Sequence, residues 1–235
     1  MEKREQSPSA GRPANRNLLR QRRNRVFAKP LDRRPSDRDN ACAMHLLDRK
    51  TVFVREHVGL LKLSGAYDLL DPETGQPIGI AQEKLSGWIK LLRLLVKKHQ
   101  LPTRVEVATA EGRPPVLVLT RGFTFLRAKV NVLDGAGTPL GYLQAKLFSL
   151  GGGFHVFSAD GQKFAEVKGD WKGWNFRLLD VAGGEMGIVT KKWAGLGREL
   201  FTTADQYVIE VKESGSGNAL LLAAALAIDM VFKEK

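Results

Sequence analysis

A short unit recurs along this chain, and the recurrence limits the fold more than any other feature. Val130, Val132, Asp134, Gly137, Leu140 and Gly141 form one copy; Phe176, Leu178, Asp180, Gly183, Met186 and Gly187 repeat it at identical spacing. Phe154, Val156, Ser158, Gly161, Phe164 and Ala165 form a third, with Ser and Ala in the places of Asp and the second Gly. Val105, Val107, Thr109, Gly112 and Pro115 are a worn copy, and Tyr67, Leu69, Asp71, Gly75, Ile78 and Gly79 a copy one residue longer in the turn. Each copy alternates apolar and polar residues, breaks at a polar turn with Gly, then alternates again. That is the pattern of a β-hairpin. The Asp, Thr or Ser can accept a hydrogen bond from backbone two residues on, and Gly supplies positive φ. The turns starting at 109, 134, 158 and 180 are 25, 24 and 22 residues apart. Five hairpins give ten strands, and the runs Thr51–Arg55 and Tyr207–Val211 add two more. About a dozen antiparallel strands in one sheet curl strongly, and closure removes exposed edges. A mainly β, closed antiparallel barrel is therefore expected, with an open sandwich as the alternative.

Two helices interrupt the strands. Ser86 is a suitable N-cap for Gly87–His99, where Trp88, Leu91, Leu92 and Leu95 recur at helical spacing. Lys90, Arg93, Lys97 and Lys98 fill the other face. Either the apolar face packs on the barrel wall or the helix lies in a membrane interface, where apolar burial and anionic attraction add. The second helix, Asn218–Phe232, contains the run Ala219–Ile228 with no polar residue. A helix apolar all round must be buried in protein or lipid. This one is shorter than the roughly 20 residues that span a bilayer, and Asp229 near its end opposes spanning. Leu220, Leu221, Leu222, Leu226, Ile228 and Asp229 are thus expected inside the barrel, on a helix kept thin by five alanines.

Charge divides the chain differently. The net charge is +12, but residues 1–41 carry 12 Lys/Arg against 5 Asp/Glu. With Pro8, Pro13, Pro30 and Pro35 and almost no apolar clustering, this stretch cannot bury enough surface to offset its ordering entropy. Residues 1–43 are expected to be a disordered basic arm, and 44–235 the barrel domain. Such an arm attracts any polyanion, nucleic acid and anionic lipid alike. Cys42 is the single cysteine, so no intrachain disulfide can form. No apolar segment of the secretory type precedes residue 41. His45, His57, His99 and His155 are scattered, and Gly151–Gly153 lacks the Lys-Ser/Thr of a phosphate loop, so no covalent catalysis and no cofactor are expected.

The tail is familiar. Leu220-Leu221-Leu222, the Ile228-Asp229 pair, and the approach through Trp193-Ala194-Gly195 and Glu199–Asp205 are similar to the closing segment of phospholipid scramblases. The repeated hairpins resemble the wider superfamily that holds the plant LURP-one-related proteins and the tubby C-terminal domain. The resemblance covers residues 44–235 and implies a twelve-stranded barrel around a hydrophobic C-terminal helix, acting on membrane lipid rather than by covalent chemistry. Animal scramblases carry an acidic calcium-binding stretch before the last helix. Here the matching positions, Thr203, Asp205, Tyr207, Ile209, Val211 and Ser214, hold one carboxylate, so Asp205 is a poor calcium site. The palmitoylation cluster is missing too, leaving Cys42 as the lone thiol for acylation. Tubby relatives bind phosphoinositide head groups through Lys/Arg, which makes Lys191, Lys192 and Arg198, around Trp193, a second candidate lipid site beside Trp88, Lys90, Arg93, Lys97 and Lys98. The resemblance implies a cytoplasmic, peripheral protein on the inner face of the plasma membrane that binds anionic phospholipid and moves it between leaflets. The alternative is a nucleic-acid-associated or adaptor protein acting through its Arg-rich arm, with the barrel as scaffold.

Overall fold

The computed structural model describes residues 46–57, 65–92, 95–96, 100–124, 127–146, 152–170, 172–191, 206–212 and 217–232, without the side chains of Met230 and Phe232. The strands are β1 (Thr51–Glu56), β2 (Ala66–Leu70), β3 (Pro77–Glu83), β4 (Thr103–Ala108), β5 (Pro115–Arg121), β6 (Lys129–Asp134), β7 (Pro139–Ala145), β8 (Gly153–Ser158), β9 (Lys163–Asp170), β10 (Asn175–Asp180), β11 (Glu185–Thr190) and β12 (Gln206–Val211). The helices are α1 (Gly87–Leu92) and α2 (Asn218–Phe232). Every strand pairs antiparallel with its neighbours in sequence, and β1 pairs with β12, Phe53 opposite Val208, to close the barrel. The sandwich alternative fails here, because no edge remains.

All five expected hairpins form. The turns that start at Asp71, Asp134 and Asp180 use the expected carboxylate bonds to backbone N–H groups. In the β8–β9 turn, by contrast, the Ser158 hydroxyl donates to the Gln162 carbonyl and Asp160 accepts from the Gln162 N–H. In the β6–β7 turn the Asp134 carboxylate accepts from the backbone N–H groups of Ala136 (2.9 Å) and Thr138 (2.8 Å). Gly137 sits at φ 89°, where a side chain would be strained. Asp180 repeats this with Ala182 and Gly184. The register slips by one residue beside each of these turns, as between Val132 and Leu133, which is a bulge that adds twist.

The repeat's second glycine has a different cause. A Cβ on Gly141 would lie 2.1 Å from the Phe157 carbonyl oxygen and 3.0 Å from a Leu220 methyl of α2. The position is empty because a neighbouring strand and the central helix already fill the space.

Inward residues of the strands, such as Val130, Val132, Leu143, Phe154, Val156, Phe176 and Leu178, are fully buried and join Leu220–Ile228 in one core. Gly217 abuts Phe164 at the start of β9, and Leu220 abuts Gly141 near the start of β7. Asp229 meets Tyr67 at the start of β2. The helix therefore enters at the rim bearing the five hairpin turns and ends at the opposite rim, where the longer connections run.

The plug and the wall depend on each other, so truncating the plug should be costly. Leu221→Ala should destabilise by about 2–5 kcal/mol. Leu91→Ala, on the exposed part of α1, should stay within about 0.5 kcal/mol of the parent. Urea unfolding followed by tryptophan fluorescence measures both.

Candidate functional site

The rim at which α2 ends holds the most candidate residues. Ser86 starts α1, its carbonyl accepting from the Lys90 N–H at 3.2 Å. The regular helix stops at Leu92, whose carbonyl accepts from both Leu95 and Val96 N–H groups in a closing turn. This is shorter than the Gly87–His99 helix expected from periodicity, although Arg93, Leu94, Lys97, Lys98 and His99 lie outside the described residues. The face that meets the barrel also differs. Ile89 is the buried residue of α1, whereas Trp88 is 56% exposed, Leu91 65% and Leu95 83%. Of the expected apolar stripe, Trp88, Leu91 and Leu95 therefore face outward and Leu92 is half-buried, and Lys90 of the same helix is exposed too. One buried Ile suffices to seat so short a helix, so the stripe is left over.

A second apolar side chain at this rim was missed by sequence reasoning. Phe123, in the connection after β5, is 56% exposed, and the next residue, Thr124, donates its N–H to the Gln100 carbonyl at 3.1 Å. That bond ties the β5–β6 connection to the one carrying α1. Nothing periodic marks Phe123, and only the strand order puts it there.

Of the second lipid cluster, Lys191 is described and Lys192 and Arg198 are not. The Lys191 ammonium lies 4.7 Å from the centre of the Trp174 ring, a cation–π contact. Trp174 takes φ 47°, a backbone conformation uncommon for a large side chain. It stacks on Tyr207 with ring centres 5.2 Å apart. Cys42, Asp205 and the basic arm also fall outside the described residues. Among the described residues, no group of three His, Cys, Asp or Glu is placed to hold a metal ion.

Leu220, Leu221, Leu222, Leu226 and Ile228 are buried as expected, and so is Asp229, at 4% exposure. Its carboxylate accepts a short hydrogen bond from the Tyr67 hydroxyl. Burial, and next the Asp229 charge, push the Tyr67 phenol far above its ordinary range. The same two causes raise Tyr207, whose buried hydroxyl has no hydrogen-bond partner among the described residues. On the outer wall, desolvation would raise Glu166, but the ammonium groups of Lys146, Lys163 and Lys168 outweigh it and hold the carboxyl at about 2. This cluster is an ion-pair network rather than an open anion site.

Among the described residues, no helix is long and apolar enough to cross a membrane. A family model described as Scramblase matches residues 46–235. No curated protein and no solved structure matches the chain.

Two pH responses follow. In the unfolded chain both phenols ionise near pH 10, but in the fold they stay neutral. Their contribution is intact below pH 10 and falls above it, by up to about 1.4 kcal/mol per pH unit for each tyrosine. Tyr67→Phe should flatten the decline between pH 10 and 11.5 in urea titrations, while costing about 1–3 kcal/mol at pH 7 through the weakened solvation of Asp229. Glu166 behaves oppositely. Its folded pKa lies below the unfolded one, so its contribution is present above pH 4.5 and is lost as pH falls towards 2. Glu166→Gln should lower neutral stability by up to about 1 kcal/mol and flatten the acid limb.

Proposed function

The chain belongs to the scramblase family, and from that premise we propose that it binds the surface of anionic membranes through α1 and facilitates phospholipid movement between leaflets. The observation that carries this reading is the exposure of Trp88, Leu91 and Leu95 on one connection, together with Lys90 of α1. A soluble domain gains nothing from showing water a tryptophan and two leucines within eight residues of one connection. An interfacial helix needs that combination, because Trp favours the head-group layer, leucines enter the acyl boundary and ammonium groups meet lipid phosphates. In sequence the same connection continues with Arg93, Lys97 and Lys98 and holds no carboxylate. No covalent step is part of this reading. The leaflet it fits is the anionic one, as on the cytoplasmic side of a plasma membrane.

Flotation of the full chain with phosphatidylserine-containing vesicles tests the binding half. Trp88→Ala with Leu91→Ala removes about 2–3 kcal/mol of interfacial burial and should weaken binding at least tenfold, with the fold unchanged. Absence of co-flotation by the parent at low salt would falsify it. Dithionite quenching of labelled lipid in proteoliposomes tests the transport half, and a rate equal to protein-free vesicles would count against it.

A further inference from the structure

The two rims of the barrel differ in chemistry, and the difference fixes how the domain would meet a bilayer. The hairpin rim presents exposed carboxylates at Glu73, Glu111 and Asp160. At the opposite rim, each of the six connections between strands contains Lys or Arg in its sequence, and within those connections carboxylates occur only at Glu199 and Asp205. The exposed Asp170 ends β9 at the same rim, and Lys146 is paired with Glu166. That rim also carries exposed Trp88, Leu91 and Leu95 on one connection and exposed Phe123 on another, joined by the Thr124–Gln100 bond.

We infer that the domain docks end-on, with the rim of α1 and Phe123 against anionic lipid and the hairpin turns pointing away. The inference rests on the proposed membrane binding and adds its geometry and a second anchor. A side-on pose would bring the outer wall to the lipid, where Glu166 already pairs with Lys146, Lys163 and Lys168 and where, among the described residues, no strand shows a large exposed apolar side chain. An inverted pose would bring Glu73, Glu111 and Asp160 towards anionic head groups, which repel them. Only the end-on pose lets two separate apolar anchors, with the exposed Lys90 on the connection that carries Trp88 and Leu91, contact the same plane. It also turns the end of α2, with Asp229 and Tyr67, towards the membrane, so the polar latch of the plug lies nearest the lipid.

Single-cysteine probes read the pose directly. In a Cys42→Ser background, an environment-sensitive fluorophore is attached at Phe123→Cys or Leu91→Cys on one rim, and at Glu111→Cys or Asp160→Cys on the other. With phosphatidylserine vesicles, the first pair should shift to the blue, brighten at least about twofold and be quenched by doxyl-labelled lipid, while the second pair stays unchanged. In flotation, Phe123→Asp should weaken binding by about tenfold, the effect of losing one buried aromatic anchor. Val181→Asp, on the hairpin rim and 68% exposed in the parent, should leave binding unaltered. Vesicle binding with silent probes at 91 and 123, or equal response at both rims, overturns the end-on pose while membrane binding stands. Failure of the parent chain to float overturns both.

Discussion

An α-helix with no polar side imposes the organising constraint on this molecule. Leu220–Ile228 cannot be satisfied by covering one stripe, as an ordinary surface helix is, because every direction around its axis is apolar. Only an enclosure meets that demand, and a closed antiparallel barrel is the enclosure that leaves no unpaired edge. The dependence runs both ways. A twelve-stranded wall has an interior wider than its own inward side chains fill, and the alanines of α2 let a helix occupy it without overpacking. Gly141 marks the tolerance of this fit, since one added methyl would strike both a neighbouring strand and the helix.

What the sequence discloses depends on the range of the interaction. The hairpins are legible because turn residues act locally: Asp134 bonds groups two and four residues away, so its spacing to Gly137 reports the turn almost by itself. Strand count and closure follow from repeating that local fact, and the buried helix follows from its lack of polarity. The face of α1 is not legible in the same way. Periodicity identifies a stripe of Trp88, Leu91, Leu92 and Leu95, but whether protein or solvent covers it is decided by Ile89, outside the stripe. The Tyr67–Asp229 contact joins residues 162 apart in sequence, and no spacing announces it. Phe123 belongs with α1 only because β4 and β5 are neighbours.

The meander sorts the chain's connections into two populations. Short turns must make tight reversals, and they draw on Asp, Gly, Thr and Ser because those residues supply local hydrogen bonds and positive φ. The resulting rim shows carboxylates at Glu73, Glu111 and Asp160 beside the cations Lys50 and Arg113, and of the three carboxylates Asp160 bonds its own turn. Most connections at the other end are longer and carry less of that demand, the β9–β10 turn excepted, where the Asp170 carboxylate accepts from the Lys172 and Gly173 N–H groups. Among the described residues they hold exposed Lys90, Trp88, Leu91, Leu95 and Phe123. The exposed Trp88 and Phe123 are the part of the other rim that folding does not require.

Retention of α2 inside the wall limits how such a domain can act on lipid. Withdrawing the helix would expose Leu220, Leu221, Leu222, Leu226 and Ile228 together, at about 1.5–3 kcal/mol each, and would leave the inward faces of the strands uncovered. That approaches or exceeds the whole stability of a typical domain, about 5–15 kcal/mol. The helix would gain no span in return, since its apolar run is about half the length a bilayer demands. The same plug fills the barrel interior, so a phospholipid head group has no polar route along the axis. If the proposed membrane binding holds, the contact with lipid falls to the rim, where the exposed Trp88 and Phe123 can insert while the core stays closed.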